Sequence, residues 1–198
     1  MRDKLKKVLY WICIVSISPI MLSYILLIQL VSNKDSIFEA FSQFFSLIPG
    51  IPGNYLRSAY YFLTLDNASQ DIVVSFSTLL FQRETEIHSG VYIGPQCNIG
   101  KCHIGENTLL GSAVHVMSGK NQHYFDDLDT PIRNQGGSFE KIKIGQNCWI
   151  GNGSLIMANV GNHCIIGAGS VVIHDIPDYS IVAGNPAKVI RTRVINNG

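Results

Sequence analysis

Aliphatic residues followed by glycine recur along the middle of the chain at a spacing of six residues. The series runs Ile93-Gly94, Ile99-Gly100, Ile104-Gly105 and Leu110-Gly111, with one five-residue step between Ile99 and Ile104, and ends at Val116. After a break it resumes at Ile144-Gly145, Ile150-Gly151, Ile156, Ile166-Gly167 and Val172. Six residues are too few for a helical repeat but suit one short strand plus a tight turn, so that three units close one triangular coil. The aliphatic residue then points inward and stacks on its equivalents above and below. The residue two positions earlier also points inward and must be small; that slot holds Val91, Cys97, Cys102, Thr108, Val114, Cys148, Ser154, Cys164 and Ser170. Units of this kind bury a core only by stacking on their neighbours. The pattern predicts an all-β parallel β-helix over residues 71–183, its first turns irregular between Asp71 and Gly90.

The first third has a different pattern. An uncharged run from Val8 to Val31 follows Arg2, Lys4, Lys6 and Lys7. It is long enough to span a bilayer, too long for a cleaved signal peptide, and followed by no small-residue cleavage site. The basic start predicts a cytoplasmic N-terminus. Pro19, flanked by Ser16, Ser18 and Ser23, sits where a helix would kink or break, which favours a re-entrant hairpin or a two-pass arrangement with the next segment. Residues 1–34 are thus read as membrane-associated. Ile37 to Ile48, rich in phenylalanine, suits an interfacial helix, and Asn54 is positioned to cap a further helix from Tyr55 to Leu65. Within 35–70 these two helices equally suit a cap on the first coil.

Between Val116 and Ile142 the repeat is lost. The inserted segment, 117–141, concentrates His123, Asp126, Asp127, Asp129, Arg133, Asn121, Gln122 and Gln135, which no coil requires. A solenoid tolerates a loop at a corner, and such loops commonly carry function.

Composition narrows the picture further. The 198 residues carry a formal net charge of +1, which gives no reason to expect nucleic acid. The chain is 46% hydrophobic and 15% charged, apolar for a soluble enzyme, with much of the excess in the first third. Four of the five cysteines (Cys97, Cys102, Cys148 and Cys164) fall in the small inward slot, as expected of buried thiols in a reducing compartment. None has the spacing of a zinc site, and no metal is expected. His88, His103, His163 and His174 read as surface residues at turns and coil starts.

Several motifs outside the repeat are more specific than the repeat itself: His123-x-Phe125-x-Asp127, Pro131-Ile132-Arg133-Asn134-Gln135-Gly136-Gly137, Cys148-Trp149-Ile150-Gly151, and the tail from Ile176 through Asn185-Pro186-Ala187-Lys188 to Arg191. Over residues 48–193 the chain resembles the hexapeptide-repeat acyltransferases, which have a left-handed parallel β-helix. Among them it is most similar to the O-acetyltransferases of bacterial surface polysaccharide synthesis, themselves similar to maltose and galactoside acetyltransferases. The hydrophobic N-terminus departs from the soluble sugar acetyltransferases.

That resemblance implies an acetyl-CoA-dependent O-acetyltransferase acting on a sugar hydroxyl of an O-antigen, capsule or exopolysaccharide, working as a homotrimer at the cytoplasmic face of the inner membrane on a sugar or lipid-linked glycan. It places a general base at His123. A hydroxyl is a poor nucleophile at neutral pH, and imidazole titrates in the range needed to take its proton. His115 is the rival base. Some relatives carry a second histidine where this chain has Asn121; Asn121, Asp126 and Asp127 are candidate acceptor-binding residues, and one aspartate could orient His123. The resemblance assigns Trp149, Gly151, Gly167 and Ala168 to the pantetheine arm of the donor, and Lys188 and Arg191, from the tail 184–198, to its phosphates. Three other readings bear on function: a membrane-tethered trimer that only binds, an acetyltransferase for a serine or amino-sugar acceptor, and the zinc carbonic anhydrases of this fold. The last need two histidines five apart, and no histidine pair here has that spacing.

Overall fold

The computed structural model describes residues 2–193, with side-chain surroundings from residue 8 onward. The basic side chains Arg2, Lys4, Lys6 and Lys7 and the last part of the tail lie outside the described residues. Three helices, α1 (Arg2–Leu30), α2 (Lys34–Ser46) and α3 (Gly50–Thr64), precede sixteen strands numbered in chain order.

Most strands are two residues long, and through the earlier coils each pairs in parallel with the strand three further on, as a triangular coil demands; in the last coils the interval falls to two, because the first sheet continues there only as isolated bridges at Val160 and Ile176. One sheet contains β1 (Asn67–Ala68), β4 (Glu86–Ile87), β7 (Cys102–Ile104) and β10 (Ile142–Ile144). A second runs through β2 (Val73–Val74), β5 (Tyr92–Ile93), β8 (Leu109–Leu110), β11 (Trp149–Ile150), β13 (Ile165–Ile166) and β15 (Ser180–Gly184), and is finished by the antiparallel β16 (Ala187–Thr192). The third contains β3 (Leu79–Leu80), β6 (Asn98–Ile99), β9 (His115–Val116), β12 (Leu155–Ile156) and β14 (Val171–Val172).

The second residue of nearly every short strand is the inward one: Ile93, Ile99, Leu110, Ile150, Ile156 and Val172 are fully buried. At roughly 1.5–3 kcal/mol per buried aliphatic side chain, this column is the main favourable term of the stack. All nine small-slot residues are buried as well. Where that slot is polar it bonds a neighbouring coil: Thr108 Oγ1 donates to the carbonyl of Gly145 at 2.7 Å, and Cys97 Sγ lies 3.1 Å from that of Gly111. The slot thus selects for small size, and where its occupant has a donor that donor is used within the stack. All five thiols are free.

The glycine after the aliphatic residue has a packing cause. A Cβ on Gly151 would stand 2.5 Å from the backbone nitrogen of Ala168 in the next coil, so only hydrogen fits there.

The N-terminal region differs from expectation in three respects. First, α1 is one continuous helix through Pro19 and not a hairpin. Proline removes the N–H that would bond the Val15 carbonyl, and the Ser18 hydroxyl donates to that carbonyl instead, at 2.8 Å. Tyr10, Ile17, Met21 and Tyr24 form a buried stripe along α1, while Trp11, Val15, Leu22 and Leu26 remain exposed. Val8–Leu30 is long and apolar enough to cross a membrane, and 17% of it is buried. No two-pass arrangement with α2 forms. That helix is 13 residues long, too short to span, and it packs its buried Phe38 and Phe45 into the aromatic core of the cap.

Second, α3 starts at Gly50, with Pro49 as its N-cap, rather than at Tyr55 after Asn54. Pro52 falls within the first turn, where a helical N–H has no partner anyway. Asn54 instead accepts a hydrogen bond from Arg57 Nη2 at 2.8 Å. Third, the coils begin at Asn67 and their early turns are regular, with Ala68, Val74, Leu80 and Ile87 inward.

Candidate active site

The inserted loop leaves the third sheet after β9 and re-enters the first sheet at β10, so it crosses the corner between them. Its neck is closed by backbone bonds. Glu140 N donates to Ser118 O at 2.9 Å, Ser138 N to Asn121 O at 2.7 Å, and Tyr124 N to Gly136 O at 3.0 Å. A Cβ on Gly137 would lie 1.9 Å from the Gln122 carbonyl oxygen, which fixes glycine where the two arms cross. Ser118 anchors the base: its hydroxyl accepts from Lys101 N and donates to Gln82 Oε1, both at 2.8 Å.

Farther out, Gln135 braces the loop. Its Nε2 donates to the Asp127 and Thr130 carbonyls at 2.7 Å, and its Oε1 accepts from Asp127 N at 3.1 Å. The Asp127 carboxylate accepts from Asp129 N at 2.9 Å and Thr130 N at 3.3 Å. It is occupied as a turn former and does not reach His123. These hydrogen bonds, Thr130 first, hold the Asp127 carboxyl below its ordinary value. Asn121 and Asp126 are exposed, and neither side chain has a hydrogen-bond partner among the described residues.

His123 is exposed on the first arm, directly after the pinch at Gly137, with both ring nitrogens unengaged among the described residues. His115, the rival base, stands on the strand β9. There it lines a cavity of about 290 Å³ with Gln82, Asn98, Gln122 and Phe139. Asn98 lies directly beneath it in register, and its Nδ2 sits 3.1 Å from His115 Nδ1. An amide nitrogen can only donate. In this pairing neutral His115 accepts at Nδ1 and carries its proton on Nε2. The coil spacing could have found Asn98, since it is the equivalent position one coil earlier; Phe139 and Gln82 carried no such signal.

The residues that the resemblance assigns to the acyl donor gather elsewhere. Trp149 is 53% exposed on β11, between Leu109 and Ile165 in its column. Gly151 and Ala168 stack on each other at the corner between the second and third sheets, and Gly167 packs against Ala183. Lys188 and Arg191 are exposed on β16, opposite Ala183 and Ile181, without an ion pair among the described residues. These six positions form one strip along the later coils. In one chain that strip and His123 lie on different corners of the triangle.

A larger cavity, about 740 Å³, lies between α1, α3 and the first coils. Its carboxylate, Asp71, is bound to Ser69 and Ser89, and no histidine lines it.

Comparison with known proteins agrees with this fold. A family model described as bacterial transferase hexapeptide (six repeats) matches residues 141–174. A Dictyostelium discoideum protein, provisionally named an acetyltransferase, is 46% identical over 91 residues, which is 44% of this chain and 45% of that protein. The chain therefore matches less than half the length of this curated relative. A maltose O-acetyltransferase structure from Clostridium difficile superposes with a TM-score of 0.63 at 23% identity, over 81% of this chain and 89% of that one. A galactoside acetyltransferase in complex with coenzyme A gives 0.56 at 19% identity, over 81% and 82%. A hexapeptide-repeat acetyltransferase from Vibrio cholerae gives 0.58 at 20%, over 83% and 95%. The chain thus shares the left-handed parallel β-helix fold of these structures, and its residues 141–174 match the hexapeptide repeat.

Proposed function

We propose that this protein is an acetyl-CoA-dependent O-acetyltransferase that modifies a sugar hydroxyl in bacterial surface polysaccharide synthesis, with His123 as general base. The observation that carries the reading is the inserted loop: it holds an unengaged imidazole rigidly at a coil corner, where the repeat needs none. Related proteins named as acetyltransferases, one of them solved with coenzyme A, support the reaction class.

In this reading the acceptor hydroxyl gives its proton to His123 as its oxygen attacks the thioester carbonyl. Collapse of the tetrahedral adduct expels the coenzyme A thiolate, which takes up a proton. Acetyl-CoA lies along the strip of Trp149, Gly151, Gly167 and Ala168, its phosphates met by Lys188 and Arg191. Because that strip and His123 occupy different corners, the donor of one subunit is served by the loop of another, as a homotrimer would arrange. Exposed Phe125 and Leu128 on the loop suit burial against such a neighbour. Asn121 and Asp126, unengaged at the loop surface, are the acceptor-binding residues.

Acceptor and location follow from α1. Its outer apolar face rests in the cytoplasmic leaflet of the inner membrane, which suits a lipid-linked glycan. The N-acyltransferase reaction is the second reading within the same class; it is distinguished by whether label enters an ester or an amide.

The test supplies isotope-labelled acetyl-CoA to membranes bearing wild type or His123→Ala. Label in glycan from wild type, reduced about 10²–10⁴-fold in the variant, is expected of a lost general base. Unchanged transfer would move the base to His115. For the membrane, lysines replacing Val15, Leu22 and Leu26 spare the buried stripe of α1 and should move the protein from the membrane pellet to the supernatant. Retention in the pellet would leave the exposed Phe44 and Leu47 of the cap as the anchor.

A further inference from the structure

Glu86 opens β4 and His88 directly follows that strand, while His103 stands in register above Glu86 on the next coil. Taken singly, these histidines read as surface residues, yet the coil period stacks them. The two imidazole centroids are 4.5 Å apart. His103 Nδ1 lies 3.1 Å from Glu86 Oε2, and His88 Nε2 lies 3.9 Å from the same oxygen. One donor atom from each residue falls within 4.8 Å of the other two. His88 Nε2 is buried from solvent and has no hydrogen-bond partner, an orphaned lone pair or N–H aimed into the cluster.

We propose that Glu86, His88 and His103 bind a divalent transition-metal ion of the zinc type. Two imidazoles and one carboxylate form a donor set that suits zinc and its neighbours better than magnesium or calcium, which prefer oxygen. The orphaned His88 nitrogen gains a partner, and two imidazoles tilted at 49° to each other share a cation. Glu86 binds through Oε2 alone, because Lys141 holds Oε1; that contact orients the carboxylate, as outer-shell partners of metal ligands commonly do. Three protein donors leave a position open for water or a ligand. The ion would staple β4 to β7, beside the point where Lys141 brings the loop back into the first sheet. It is separate from the acetyl-transfer residues, and the proposal does not depend on the transfer reading.

The test uses the full-length protein without a histidine tag, in detergent. Cobalt titration should give visible d–d bands, at one ion per chain, without the near-ultraviolet band of thiolate coordination. Zinc should displace the cobalt and raise the melting temperature. His88→Ala, His103→Ala and the near-isosteric Glu86→Gln should each weaken binding about tenfold or more, while His174→Ala leaves it unchanged. Circular dichroism shows which variants stay folded, and Glu86→Gln carries the test if the alanine variants do not. Acidification should weaken binding as protons compete for the imidazoles. A thiolate band, no binding in the micromolar to millimolar range, or binding indifferent to the folded variants would overturn the proposal.

Discussion

The helical cap and the coil stack are held together by different means. In the stack each coil repeats the same three contributions: an inward aliphatic, a small slot residue, and backbone bonds to the coils on either side. No single residue is indispensable, because the next coil supplies its equivalent. The cap has no repeat. Its core is a cluster of single aromatic contacts, with Tyr60 stacked on Phe38 at 5.8 Å and on Phe45 at 4.8 Å between ring centroids. The polar ends of the two central tyrosines are individually satisfied: Tyr60 Oη donates to the Phe38 carbonyl at 2.8 Å, and Tyr61 Oη pairs with Ser42 Oγ at 2.8 Å. Burial pushes the Tyr61 hydroxyl up to about 12.

The sharpest instance is Arg57, fully buried with no acidic partner among the described residues. Its Nε donates to the Val74 carbonyl at 2.7 Å, and its Nη1 to those of Phe45 and Ile48 at 3.0 and 2.7 Å. The carbonyls at the end of α2 carry the negative end of the helix dipole, so a cation is favoured there. One guanidinium therefore ties α2, α3 and the first coil together. Arg57→Leu strands these acceptors and should cost on the order of 3 kcal/mol or more, seen as a fall in the denaturation midpoint for the whole chain. A loss under about 1 kcal/mol would mean that the cap, like the stack, is built of replaceable parts.

A smaller effect is expected within the stack. Gly151→Ala places a Cβ against the Ala168 backbone and should destabilise by about 1–3 kcal/mol, the range for overpacking. Hydrogen exchange should show the damage confined to the neighbouring coils. The same variant separates two roles of this corner. If Gly151 matters only as a donor contact, the KM for acetyl-CoA changes while stability does not.

This contrast also explains what could be read from the sequence. The stack was legible because its period reports burial directly: every slot named from the pattern is buried, and Trp149, Gly151, Gly167, Ala168, Lys188 and Arg191 fall on one strip because the coils are in register. The cap was not legible in detail because its contacts join residues with no common spacing. Asn54 has the sequence of a helix cap, yet it serves Arg57; Pro19 has the sequence of a break, yet the Ser18 hydroxyl takes up the freed carbonyl. The loop lies between these cases. Its composition marked it as functional, but only coordinates show that Gln135 and the Asp127–Thr130 turn set its shape, that Asp127 is engaged in that turn, and that Asn98 fixes the His115 proton on Nε2. The pairing of Glu86 with His103 was recoverable in principle, since register follows from the repeat; reading histidines singly hid it.

The smallest effect expected is electrostatic, and it lies at the far end of the stack. The exposed carboxylate of Asp178 accepts from Asn162 N at 2.8 Å and from Asn162 Nδ2 at 3.1 Å. These bonds, the backbone one first, hold its pKa below the ordinary carboxylate value. A group whose pKa is depressed on folding adds stability above its unfolded value, near 4, and that contribution is lost as pH falls through the folded value. Asp178→Asn keeps an acceptor oxygen but cannot titrate, so the variant should lose less stability than wild type on acidification below about pH 4. Denaturation midpoints measured from pH 6 to pH 3 would show this as a shallower acid limb. An unchanged limb would mean that these bonds form no better with the charged carboxylate than with the neutral amide. The corner would then resemble the rest of the stack, where backbone register rather than side-chain charge decides what holds.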